Sequence, residues 1–219
     1  LPHAPEVIDV PPADSFRRPP RLSLAIRGVG GQGNLFFGKV LAQVAFLAGY
    51  DDRNILKGET HGMAQMGGPV ISTFGCGEVF SPALVPGTAN VLIAMEKAEV
   101  LRPGFLDLLE PGGTVLMADT RILPHGLKPE AYPSDEAIAA QLEGYRVVSV
   151  DVLSIALNLG DPKGRCANVA MLGVLSTLPP FDVVPEAVWL QALRGISRKP
   201  ALWDLNHAAF MAGRGMQKG

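Results

Sequence analysis

The chain is poor in thiol, in charge and in aromatic rings. Its two cysteines, Cys76 and Cys166, stand far apart and outside any C-x-x-C spacing. That excludes a disulfide framework and any cysteine-ligated zinc or iron–sulfur centre held by this chain alone. Charged residues make up 18% and the net charge is −2, with Lys and Arg scattered rather than gathered in a stripe. Nucleic acid is therefore a poor candidate partner. No apolar run approaches the ~20 residues of a membrane helix, and no signal-peptide pattern opens the sequence. These absences lead to the expectation of a cytoplasmic protein without a membrane span. His3, His125 and His207 are dispersed and share no metal-ligand spacing with acidic neighbours, so no metal site is expected. A serine-hydrolase reading fails for want of a G-x-S-x-G elbow.

Apolar residues are plentiful at 47%, and the mean hydropathy is +0.22. Such a chain either buries parallel strands in a large α/β core or has much of its surface covered by partners; both readings stand. With 219 residues the default is one domain. Residues 1–21 carry Pro2, Pro5, Pro11, Pro12, Pro19 and Pro20 without apolar period, and read as an extended arm or linker ahead of a domain spanning 22–219. The chain opens on Leu1, which suggests either a piece of a longer polypeptide or numbering from the first ordered residue.

The most informative segment is Arg27-Gly28-Val29-Gly30-Gly31-Gln32-Gly33. Leu22, Leu24 and Ile26 before it read as a buried strand. Leu35, Phe36, Val40, Leu41, Val44 and Leu47 after it follow a helical period. Gly28, Gly30 and Gly33 match G-x-G-x-x-G in its required place between strand and helix. Glycines there permit a tight turn and close approach of a phosphate to the backbone, and the helix N-terminus presents N–H groups to an anion. The expected fold is α/β: a Rossmann-like, mostly parallel sheet flanked by helices, with a helical C-terminal part and the extended N-terminal arm.

Further along, Ile55-Leu56 is a short second strand, and Glu59 to Pro69 reads as a Gly-rich loop. Val70–Gly75 and Asn90–Met95 are strands, with Cys76-Gly77-Glu78 as a turn between them. Glu96–Leu109 is expected to be a helix, with Leu101, Phe105 and Leu108 inward. Pro111-Gly112-Gly113 should turn the chain into a strand over 114–118. Residues 120–144 read as a looser connection before a strand over 145–150, and helices are expected over 166–178, 185–196 and 201–211.

Together, Gly28-Val29-Gly30-Gly31-Gln32-Gly33, the loop Glu59-Thr60-His61-Gly62-Met63-Ala64-Gln65-Met66-Gly67-Gly68, Ser81-Pro82 and Glu110-Pro111-Gly112-Gly113-Thr114-Val115 resemble the gamma-type subunit of 2-oxoacid:ferredoxin oxidoreductases. The likeness is nearest to the small subunit of the indolepyruvate enzymes and runs from about Leu22 to about Leu178. The resemblance implies a subunit, inactive alone, of a complex that oxidatively decarboxylates a 2-oxoacid to an acyl-coenzyme A. Electrons would pass to ferredoxin or another acceptor. It implies thiamine diphosphate, Mg²⁺ and [4Fe-4S] clusters on partner subunits, no cofactor held by this chain, and coenzyme A as a substrate. By resemblance, Gly28, Gly30, Gly31, Gln32 and Gly33, with His61, Gln65, Gly67 and Gly68, face the coenzyme A path. Related subunits commonly carry Arg where this chain has Met66. Loss of that phosphate clamp leaves room for a different acceptor chemistry, such as that of an arylglyoxylate (phenylglyoxylate) oxidoreductase.

Bland roles stand beside these. Gln32 suits a solvated helix start as well as ligand orientation. His61 titrates near neutral pH and is the one candidate for proton transfer, yet a hydrogen-bonded loop histidine explains it equally. Met63 and Met66 suit an adaptable surface or core filling. Two rival functions remain: a self-contained NAD-dependent dehydrogenase, with Asp51, Asp52 or Glu59 as ribose acid, and a non-catalytic assembly module on a nucleotide-binding fold.

Overall fold

In the computed structural model, the described residues are 7–29, 34–61, 69–123, 128–197 and 199–216. Strand β1 (Arg21–Val29) lies inside a six-stranded sheet with β2 (Ile55–His61), β3 (Pro69–Gly77), β4 (Ala89–Ala94), β5 (Leu109–Ala118) and β6 (Arg146–Val150). The order is β2-β3-β1-β4-β5-β6. β1, β4, β5 and β6 pair in parallel, while β3 pairs antiparallel with both β1 and β2. β2 therefore runs in the same direction as β1, and β3 alone is reversed. The expected mostly parallel sheet is present, with one hairpin inserted at its edge.

Alternation along β1 assigns its faces. Leu22, Leu24 and Ile26 join the larger core, under α1 (Asn34–Leu47), α3 (Val152–Asn158), α4 (Ala167–Leu175), α5 (Glu186–Ile196) and α6 (Pro200–Gly215). Ala25 joins the smaller core on the other face, with Leu92, Val115, Phe105 and Ile138, the last from α2 (Asp135–Gln141). β4 is buried at every position, as a central parallel strand covered on both faces must be.

Several local expectations are corrected. Residues 96–109 form two 3-10 turns, Lys97–Leu101 and Leu106–Leu108, and no α-helix. Pro103-Gly104 separates them: Pro cannot donate into a continuing helix, and Gly104 has φ +77°. The apolar spacing is still honoured, since Phe105 and Leu106 are buried. Pro111-Gly112-Gly113 lies within β5 as a bulge, where the register with β4 jumps from Ala89↔Leu109 to Val91↔Thr114. Gly113 has no room for a side chain, because a Cβ there would stand 2.9 Å from the Asn90 carbonyl. β2 extends through Glu59 to His61, Cys76 and Gly77 belong to β3, and α2 interrupts the 120–144 connection.

Within the Pro-rich arm, Val10 and Phe16 pack against the larger core. The Tyr50 hydroxyl donates to the Pro19 carbonyl at 2.7 Å, and the Arg18 guanidinium lies over the Tyr50 ring.

Candidate functional site

The site is built at the carboxyl edge of the sheet. Val70 is the register partner of Gly28 on one side and of His61 on the other, and Val29 pairs with Pro69. The glycine-rich segment after β1 and the segment joining β2 to β3 thus leave the sheet from neighbouring strands at one level. Gly28 is buried in β1, and the backbone of His61 ends β2. Gly30, Gly31, Gln32 and Gly33, and likewise Gln65, Met66, Gly67 and Gly68, lie outside the described residues.

The path of the chain marks the same edge. The segment after β1 enters α1 over the larger core, whereas the segment after β4 enters the 3-10 turns over the smaller core. β1 and β4 are neighbours, so the connections diverge between them. In open α/β sheets such a divergence opens a crevice at the carboxyl ends of the strands where ligands bind.

Beside the exits of β1 and β4 stands an ion cluster centred on a buried carboxylate. Glu99, with a side chain only 3% exposed, accepts from Arg27 Nε at 3.2 Å and from Arg102 Nη2 at 3.0 Å. The Arg27 guanidinium also lies over Phe105. Arg27 directly precedes the glycine motif, yet its charge is already committed. Its backbone carbonyl accepts from Met95 N–H at 2.8 Å, tying the exits of β1 and β4 together.

Glu96 anchors the next wall. It is 2% exposed and accepts from Ala98 N–H at 3.0 Å, from Ile122 N–H at 3.4 Å and from the Tyr132 hydroxyl. Burial pushes its carboxyl above the usual carboxylate range. Lys97 holds Asp119 at 2.6 Å and Asp135 at 3.0 Å, and its N–H donates to Thr120 at 3.0 Å. The ammonium is held above its ordinary pKa by the Asp119 hydrogen bond first. The segment 119–122 leaving β5 is therefore pinned from two sides.

Between that segment, the first turn of α1 and the helical layer lies a cleft of about 630 Å³. Phe36, Met95, Val152, Leu153 and Leu202 give it apolar walls, and Lys163 and Arg165 from the α3–α4 turn stand on its rim. Sequence reasoning missed these cations, which stand just ahead of the helix expected over 166–178. The available signal was two cations flanking a glycine.

The dinucleotide reading loses its geometry. A ribose acid belongs at the carboxyl end of a parallel strand beside β1, but that place is held by the reversed β3. Asp51 and Asp52 precede β2 at the opposite edge, and Asp51 is bound to Arg53 at 2.6 Å. Glu59 lies inside β2, two residues short of its end. Cys76 and Cys166 are buried in the larger core, and His207 stacks on Trp203 at 5.2 Å.

Comparison with known proteins agrees with this geometry. The family model described as pyruvate ferredoxin/flavodoxin oxidoreductase matches residues 23–216. The chain is similar to indolepyruvate oxidoreductase subunit IorB of Archaeoglobus fulgidus, with 35% identity over 71% of this chain and 76% of the relative. It is likewise similar to subunit IorB of Thermococcus kodakarensis, with 33% identity over 87% and 93%. In fold it resembles the pyruvate oxidoreductase subunit PORC of Thermotoga maritima, at TM-score 0.65 and 20% identity over 89% of this chain and 96% of that one. It also resembles 2-oxoglutarate:ferredoxin oxidoreductase from Magnetococcus marinus, solved with 2-oxoglutarate, coenzyme A and succinyl-CoA bound. That likeness has TM-score 0.66 and 18% identity over 92% of this chain and 32% of that one. A match over nearly the whole chain, with close relatives aligned along most of their own length, makes this chain a member of the pyruvate ferredoxin/flavodoxin oxidoreductase family.

Proposed function

We propose that this chain is the small subunit of a 2-oxoacid:ferredoxin oxidoreductase acting on indolepyruvate or another aryl 2-oxoacid, and that its carboxyl edge serves the coenzyme A path. The observation that carries this is the common level of Gly28 and His61 on either side of Val70, at the edge where the β1 and β4 connections diverge. Backbone N–H groups of a glycine turn at a helix start suit an anionic ligand, and they need no charged side chain. That is consistent with Met66 in place of an arginine and with Arg27 committed to Glu99.

Decarboxylation and electron transfer fall to thiamine diphosphate and iron–sulfur clusters on partner chains. Coenzyme A enters as the acyl acceptor, and this chain positions it and supports assembly. His61 ends the strand that leads into the Met-bearing loop, where the role assigned to it is ligand contact. The test is to isolate the native assembly, identify its chains, and measure thiamine, iron and aryl 2-oxoacid-driven acceptor reduction with and without coenzyme A. Co-migrating thiamine- and iron-bearing subunits with coenzyme A-stimulated turnover are expected. An assembly lacking them, or turnover indifferent to coenzyme A, overturns the reading.

A further inference from the structure

β2 is the outer strand of the sheet, and among the described residues no element pairs with its far side. An unpaired strand edge is a template for another chain, and proteins ordinarily blunt it with proline, a bulge or charges that repel an incoming strand. β2 contains no proline, and its register with β3 is unbroken from Ile55↔Cys76 to His61↔Val70. Its charges are of opposite sign. Lys57 and Glu59, both exposed, flank Gly58 on the larger-core face, which Lys57 shares with its register partner Phe74.

Gly58 is the central residue of β2, equidistant from Ile55 and His61. A second copy laid antiparallel along this edge, with a two-fold axis at Gly58, therefore engages the strand over its full length. Lys57 of each copy then stands opposite Glu59 of the other, giving two opposite-charge pairs related by symmetry. Sliding the register by two residues sets Lys57 opposite Lys57, or Glu59 opposite Glu59, which like-charge repulsion disfavours. Sliding it by one moves the charged positions to the wrong face. The charge pattern thus singles out the register centred on Gly58.

Both faces beside the edge offer surface to a second copy. On the smaller-core face, the Thr73 hydroxyl donates to the Pro82 carbonyl at 2.6 Å, and a Cβ on Gly58 would stand 3.2 Å from that carbonyl. The loop after β3 is therefore tied down beside Gly58. It carries Phe80, 98% exposed, and Val85, 63% exposed, and no charged residue stands between Glu78 and Glu96. On the other face an open cleft of about 630 Å³ lies between α1 and β2, lined by Ala42, Gln43 and Phe46 with Ile55 and Lys57. Phe46 is itself exposed.

We propose that a second copy of this chain pairs with β2 across a two-fold axis at Gly58, joining two six-stranded sheets into one. Lys57 of each copy faces Glu59 of the other, and the apolar loop around Phe80 is covered at the same interface.

Sedimentation equilibrium of the full chain at micromolar concentration reads the assembly, and the native chain is expected to be a dimer. Lys57→Glu alone or Glu59→Lys alone places like charges at both symmetry-related pairs and should weaken the dimer at least tenfold. The two substitutions together restore opposite charges and should restore the dimer. Thermal unfolding of each variant separates a lost interface from a lost fold. Register is read by mixing Lys57→Cys chains with Glu59→Cys chains under mild oxidation, the native cysteines being buried. Directly opposed residues bring their Cβ atoms to roughly 5 Å, against about 7–8 Å between diagonal neighbours, so the mixture should form covalent dimers at least tenfold faster than either variant by itself. A monomeric native chain leaves the edge to a different protein and overturns the proposal. So does a dimer indifferent to the single reversals, a double variant as weak as the singles, or cross-linking no faster in the mixture.

Discussion

Gly28 and His61 stand on the same rung of the sheet, each the register partner of Val70 from opposite sides. Their backbones are two strand spacings apart, about 10 Å. Two motifs separated by some thirty positions in sequence are thereby launched from adjacent points on one edge. β2 achieves this by running parallel to β1 up to the carboxyl edge, and the reversed β3 starts from that edge beside β1.

The helical layer that closes the cleft depends on a glycine contact between α4 and α6. A Cβ on Gly173 would stand 2.1 Å from the Phe210 carbonyl oxygen, and one on Gly213 would stand 2.0 Å from that of Ala170. Gly173→Ala should therefore force the helices apart and cost about 1–3 kcal/mol, the usual range for overpacking. Gly195→Ala in α5 meets nothing within 4 Å and should stabilise by about 0.5–1 kcal/mol. Denaturant unfolding of both variants checks the pair; equal effects would contradict the close-contact account.

Glu96 should give stability a definite pH dependence. Its folded pKa is raised, chiefly by burial, so the folded state binds the proton more tightly than the unfolded chain. Its contribution is therefore most favourable below the unfolded value of about 4.3 and falls as pH rises through the raised folded value. Glu96→Gln cannot ionise and should lose this slope. The stability difference between native and Gln chains, followed from pH 4 to pH 8, should shift in favour of Gln as pH rises; a flat difference contradicts the assignment.

Cys76 and Cys166 should resist thiol reagents in the folded protein. Burial pushes Cys76 up to about 12 and Cys166 up to about 11, and both side chains are buried. Alkylation at pH 8 is expected to follow unfolding and to be slow below it, because the thiolate is the reacting species. Labelling of either residue at the rate of a free thiol in the folded chain would contradict this.

Much of the fold was legible in local pattern. β1, α1, β4 and the last three helices stand where apolar period, Gly and Pro place them. The region 96–109 was misread because Leu101, Phe105 and Leu108 repeat at helical spacing, whereas Pro103-Gly104 divides the segment into two short turns that bury Phe105 equally well. The glycine motif was legible because strand, turn and helix are contiguous in sequence. The cleft was not: Lys163 and Arg165 acquire meaning only when the turn between α3 and α4 is brought to the same cleft as Phe36 and Met95. Likewise, the reversal of β3 is a matter of strand pairing that alternation alone does not encode.

The central claim, that the glycine turn after β1 serves coenzyme A rather than the thiamine chemistry, is tested most directly by Gly31→Val in the assembled complex. A branched side chain there should obstruct close approach of the ligand to the backbone. After assembly and fold are confirmed, aryl 2-oxoacid-driven acceptor reduction is measured with and without coenzyme A, together with formation of the initial 2-oxoacid adduct. The account predicts a coenzyme A response weakened at least tenfold with adduct formation nearly normal. An unchanged coenzyme A response, or loss of adduct formation itself, would contradict it.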